Sequence, residues 1–160
     1  MSPATSRSLV LDASVICSSG NTEHPTSKAS REALDAILLI CHHVVITKDI
    51  REEWKRHRSG YSQTWHVAME SKNKVHNLDA VDTVELLNAM AESSMGPSDH
   101  KRVEKDAHII NAALSSDKVI VTYDNQLKKT MEKYGPLASI SARIIWVNPV
   151  KDGPSIFESI

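Results

Sequence analysis

Four acidic side chains occupy places where an ordinary surface carboxylate is hard to explain: Asp12, Glu53, Asp106 and Asp124. Asp12 interrupts the apolar run Leu9-Val10-Leu11-Asp12-Ala13-Ser14-Val15-Ile16. A buried carboxylate is costly unless it is paired or bound to metal, although Asp is also a common turn former at strand ends. Asp106 precedes Ile109, Ile110 and Ala113 by three, four and seven residues, which puts its charge on an apolar helical stripe. There it must be desolvated or aimed at a partner. Asp124 directly follows the apolar stretch Lys118-Val119-Ile120-Val121-Thr122-Tyr123, where it can cap a helix and face a site at once. Glu52 and Glu53 are told apart by helical phase. Glu53 lies ~60° from Ile50 and Glu52 ~160° from it, so Glu53 flanks the buried face. Carboxylates gathered together repel one another, and a hard dication such as Mg²⁺ or Mn²⁺ relieves the repulsion. Such a site activates water and clamps phosphate oxygens, the chemistry of phosphodiester hydrolysis.

The elements that must position these acids are short apolar strands alternating with amphipathic helices. A strand is expected over 8–16, a loop over 18–27, a helix through Ala29, Ala33, Ile37 and Ile40, and a strand over 43–47. Thr47 is expected to cap a helix that begins near Asp49 and stops at Ser59-Gly60. Residues 61–95 read as a helical segment broken near 77–80. A helix capped by Ser98 runs to about 116, a strand covers 118–123, a helix from Asp124 is stopped by Gly135-Pro136, and a strand covers 143–147. Residues 151–160 read as a loosely ordered C-terminal tail. This alternation predicts one α/β domain over 1–150, with a mainly parallel sheet of four to five strands between two helical layers, α/β/α. In such sheets ligands bind outside the carboxyl ends of the strands, where Asp12 and Asp124 fall.

Bulk properties leave this reading open and exclude others. The chain has 160 residues, 41% hydrophobic and 24% charged, with a formal net charge of −1, so any nucleic-acid contact must be local. Cys17 and Cys41 are the only cysteines, which excludes a disulfide framework and a cysteine-rich zinc site. No apolar run spans a bilayer, and 1–8 lacks the apolar core of a signal peptide, so no membrane and a cytoplasmic location are expected.

Three stretches are similar to the PIN-domain family, the fold of VapC-type toxins and related ribonucleases. They are Leu9-Val10-Leu11-Asp12-Ala13-Ser14-Val15, then Val45-Ile46-Thr47-Lys48-Asp49-Ile50-Arg51-Glu52-Glu53-Trp54, and lastly Lys105-Asp106-Ala107-His108-Ile109-Ile110-Asn111-Ala112-Ala113 with Val119-Ile120-Val121-Thr122-Tyr123-Asp124. Residues 61–95 carry no matching motif. The resemblance implies a divalent-metal endoribonuclease with Asp12, Glu53, Asp106 and Asp124 as catalytic acids. It makes Asp12, Asp106 and Asp124 the ligands of Mg²⁺ or Mn²⁺, and Ser14, Thr122 and Asn125 polar supports. The implied reaction leaves a 5′-phosphate and a 3′-hydroxyl. RNA is the implied partner, a homodimer the implied assembly, and an antitoxin protein a further partner if the chain is the toxin of a toxin–antitoxin pair.

Lys48, Arg51, Lys55 and Arg56 surround Glu53 and are the candidate RNA contacts, against the general rule that a helical charge run is a solvated face. Trp54, Tyr61 and Trp65 are expected in packing or a dimer contact rather than base stacking, and the eight histidines as structural or surface groups. Phosphate-binding glycine loops are absent, and Ser14 stands where a haloacid-dehalogenase-like phosphatase needs a second Asp. A receiver-like domain is disfavoured by the Thr-Tyr-Asp that ends the third strand. A non-catalytic PIN-like scaffold binding RNA or protein is the competing expectation, and it has no need of four acids.

Overall fold

The computed structural model describes residues 5–160; the first four, which belong to the stretch read above for a signal peptide, lie outside the described residues. The chain begins with β1 (Ser8–Leu11), all of it buried, and turns at once into α1 (Ala13–Ser18). The expected strand over 8–16 is therefore half strand and half helix. A continuous apolar run cannot separate the two, and Ala13, Val15 and Ile16 are buried as a helical face. Pro25 at the first turn starts α2 (Pro25–Leu39), which takes in the last three residues of the expected loop. β2 (His43–Ile46) follows, and Thr47 Oγ1 accepts from the Ile50 amide at 3.2 Å to cap α3 (Lys48–His57), as expected.

Ser59-Gly60 does not only stop α3. Ser59 and Ser62 form a reciprocal capping box that starts α4 (Gly60–Ser71). The segment 61–95 is not wholly helical either. It holds β3 (Val75–Asn77), an edge strand whose half-exposed, polar sequence has no strand signature, and then α5 (Val84–Glu92). Gly96 rather than Ser98 is the cap of α6 (Pro97–Lys105), because Pro97 takes the first helical position. The expected helix to 116 breaks at Asp106 and resumes as α7 (Ala107–Leu114). β4 (Val119–Val121) leads to α8 (Asn125–Glu132). Gly135-Pro136 follows the end of α8, as expected, and also opens α9 (Gly135–Ala142), which was not expected; β5 (Ile145–Val147) follows.

The tail is ordered. It forms α10 (Pro149–Asp152) and α11 (Ile156–Ser159), and Phe157 is fully buried in the core. His42 is also buried. Its Nδ1 accepts from the Arg7 amide, so Nε2 carries the proton and donates to the Phe157 carbonyl at 2.6 Å.

All five strands are parallel, in the order β3-β2-β1-β4-β5, and helices flank the sheet in a three-layer α/β/α arrangement. β1 is central. The chain moves outward from it through β2 and β3, then returns to its other side for β4 and β5, which makes the β1–β4 boundary the topological switch point. Leu11 pairs with Val121 there, and the Asp12 amide donates to the Val121 carbonyl at 3.0 Å. α7 packs on both β1 and β4, and α3 packs on α7 and α1, so three helices converge on that end of the sheet. Among the described residues no helix is long and apolar enough to cross a membrane.

Candidate active site

Asp12 occupies the cap position of α1 but its side chain caps nothing. Oδ2 instead accepts from Ser14 Oγ at 2.9 Å and from Thr122 Oγ1 at 2.8 Å. Both hydroxyls also accept: Ser14 Oγ from the Tyr123 amide across the junction (3.3 Å) and Thr122 Oγ1 from the Asp124 amide on its own side (2.9 Å). Two hydroxyls thus lace the end of β1 to the end of β4 and fix the orientation of one carboxylate. Trp54 adds a third tie. Its Nε1 donates to the Leu11 carbonyl at 3.2 Å, which anchors α3 beside Asp12. Trp54 and Trp65 are buried side by side in the core, and the Tyr61 hydroxyl donates to Asp35, so these aromatics serve packing.

Asp124 is a helix cap at a strand end. Oδ1 accepts from the Gln126 and Leu127 amides at 2.9 and 3.3 Å and caps α8, at the same strand end as Asp12. Asn125 is exposed beside it, in a hollow of about 180 Å³ shared with Thr122, Lys128, Trp146 and Lys151.

Asp106 sits at the α6–α7 break with φ −105° and ψ 11°, and its side chain makes no cap hydrogen bond. The helical phase that put it on an apolar stripe is interrupted at that residue, yet the carboxyl is still partly withdrawn from water. Burial pushes its pKa up to about 6, and the neighbouring charges of Asp12 and Asp124 push it the same way. The charges of Asp12 and Asp124, from two other parts of the chain, are therefore felt at Asp106.

Glu53 is not a free carboxylate. As helical phase predicts, Glu53 is half-buried and Glu52 exposed. But Glu53 Oε2 is paired with His108 Nε2 at 2.5 Å. The bond to His108 holds the Glu53 carboxyl below the usual carboxylate range, against the effect of burial. The same bond raises the His108 pKa, assisted by the charges of Glu53, Asp106 and Asp49. The two directions agree on a charged pair. His108 therefore pairs with Glu53 and also feels the charge of Asp106. It was grouped with the structural histidines because nothing in sequence pairs residues 55 positions apart; its place two residues after Asp106 was the available signal.

The four basic candidates do not form one patch. Arg51 is committed to Asn77, donating from Nη2 to Oδ1 at 2.7 Å. Arg51 and Lys48 border the hollow beside β3, Arg51 and Lys55 border another with Arg58, and Arg56 alone lines the cleft beside Glu53 and His108.

The donors around Asp106 are carboxylate oxygens whose charges oppose one another, a set whose chemistry suits a hard dication. Among the described residues, however, no group of three or more His, Cys, Asp or Glu side chains is close enough to hold a metal ion as they stand. Compared with known proteins, the chain matches no family model, and no curated protein is significantly similar to it.

Proposed function

We propose that this protein is a divalent-metal-dependent endoribonuclease whose centre is Asp12, Asp106 and Asp124. The observation that carries the reading is Asp106: a partly buried carboxyl at a helix break, with no capping role, raised first by burial and then by the charges of Asp12 and Asp124 at the switch point of the sheet. Asp12, Asp106 and Asp124 would hold Mg²⁺ or Mn²⁺, which supplies Lewis acidity and an activated water when bound. The chain's own groups do the positioning. Ser14 and Thr122 fix Asp12, the α8 amides fix Asp124, and His108 holds Glu53 at the border of the site.

RNA is the proposed substrate, a homodimer the proposed assembly and the cytoplasm the proposed compartment. The resemblance to VapC-type toxins adds an antitoxin protein as a proposed partner. The deciding experiment is cleavage of end-labelled single-stranded RNA with Mg²⁺ or Mn²⁺ by wild type and Asp106→Asn. Wild type is expected to leave 5′-phosphate ends and the variant to lose activity by two orders of magnitude or more, roughly the scale on which electrostatic catalysis by one group is felt. Equal cleavage by both proteins refutes the assignment.

A further inference from the structure

Beside Asp106, α3 and α7 wall a cleft of about 450 Å³, within the size range of small-molecule sites. Glu53 and His108 lie on its border, and Ala107 and Val81 supply apolar wall. Asn111, one helical turn beyond His108, also lines it. Asn111 is 7% exposed and its Oδ1 has no hydrogen-bond partner. A buried amide left unpaired costs roughly 1–3 kcal/mol and calls for an explanation. Nothing in the packing of α7 supplies one, since Asn111 is flanked by the buried apolar residues Ile110 and Ala112.

The charges of the cleft narrow the ligand. Asp49, Glu52, Glu53 and Glu104 outnumber Arg56 and His108 there, so a phosphate is repelled and a neutral group rich in N–H donors is favoured. The Asn side chain offers a donor and an acceptor in one plane, and χ2 of Asn is a broad two-fold torsion that turns either end toward a ligand. That pair complements a base carrying an exocyclic amine beside a ring nitrogen, as Asn does with adenine.

We propose that the α3–α7 cleft is a base-reading subsite in which Asn111 hydrogen-bonds the exocyclic amine of an adenine or cytosine in the RNA. The subsite rests on the endoribonuclease reading and supplies its specificity. Asn111 acts as the reader, and Arg56 is the cation at the rim placed to meet the adjoining backbone. Uracil carries a keto oxygen where adenine and cytosine carry the exocyclic amine, so at that position it offers Oδ1 and the acidic walls an acceptor instead of a donor.

The test compares short single-stranded RNAs made of A, of C and of U. Cleavage with Mn²⁺, read as kcat/KM, and binding in chelator, read by fluorescence anisotropy, are measured for wild type, Asn111→Ala and Asn111→Ser. Wild type is expected to prefer A or C over U by about tenfold, the scale of one good side-chain–base pair. Both variants are expected to bring that ratio within about twofold while cleaving the U strand as wild type does. Because Asn111 Oδ1 has no hydrogen-bond partner to lose, both are expected to fold, which a thermal melt checks. A wild type that cleaves all three strands alike, or variants that keep the preference, overturns the subsite and leaves the nuclease reading standing. A wild type that neither binds nor cleaves any strand overturns both.

Discussion

Replacing Asp106 by Asn should stabilise the metal-free protein at neutral pH, and the sign of the effect follows from the site. The Asp106 carboxyl moves from 3.8 for a free Asp to about 6 in the fold. At ~1.36 kcal/mol per tenfold change in proton affinity, that gap amounts to about 3 kcal/mol of unfavourable interaction for the ionised form. Asp106 is partly open to solvent, so screening cuts this by about half. A carboxylate near a helix N-terminus also returns roughly 0.3–1 kcal/mol, which Asn forgoes. About 1 kcal/mol of net stabilisation remains, or a rise in Tm of about 2–4 °C for a chain of this size. Since the folded pKa is raised, the wild-type carboxyl is protonated and harmless below the free value and becomes a liability as pH rises through the folded value. The advantage of Asp106→Asn should therefore be full above about pH 7 and gone near pH 4. Asn is as good a cap residue as Asp, so the backbone at the α6–α7 break is undisturbed. The assay is thermal unfolding in chelator from pH 4 to 8. A variant less stable than wild type at pH 7.5, or a difference that does not change with pH, would show that the ionised Asp106 is not penalised by burial and by the charges of Asp12 and Asp124.

Thr122→Val removes a hydroxyl that donates to Asp12 and accepts from the Asp124 amide. Urea unfolding should show a loss of roughly 1–3 kcal/mol, the range for a hydrogen bond to a charged group and a stranded donor, and Thr122→Ser should recover most of it. Phe157→Ala should cost about 3–5 kcal/mol by the same measurement, as expected for a fully buried Phe; a change under 1 kcal/mol would mean that α11 is not part of the core.

Much of the architecture was legible because local patterns and global fold agree. The β-branched runs at β2 and β4, the Thr47 and Asp124 caps and the apolar phases of α3 and α7 all predict the elements observed. The reading erred where one signal serves two structures. Ser59-Gly60 and Gly135-Pro136 are both stops and starts, because chain-reversing residues also cap the next helix. β3 escaped notice because an edge strand held by backbone pairing to β2 needs little apolar sequence. The tail looked free because Gly153 and Pro154 interrupt it and its apolar residues form one short group, Ile156, Phe157 and Ile160; only the fold brings the Phe157 carbonyl to His42.

By itself the sequence determined which carboxylates are out of place. Asp12, Asp106 and Asp124 are marked by the apolar residues around them, and Glu53 is separated from Glu52 by helical phase, all of which are properties of neighbours in the chain. Tertiary structure decided how those acids are used. The order β3-β2-β1-β4-β5 brings the ends of β1 and β4 side by side, so that Ser14 and Thr122 meet on one oxygen of Asp12. The packing of α3 on α7 turns Glu53 away from a free role and into a pair with His108. It also encloses Asn111 beside a cleft without a partner. The physical reason is range: burial patterns repeat within a helical turn, whereas charge coupling and hydrogen bonding act over a few ångströms between residues that only the fold makes neighbours.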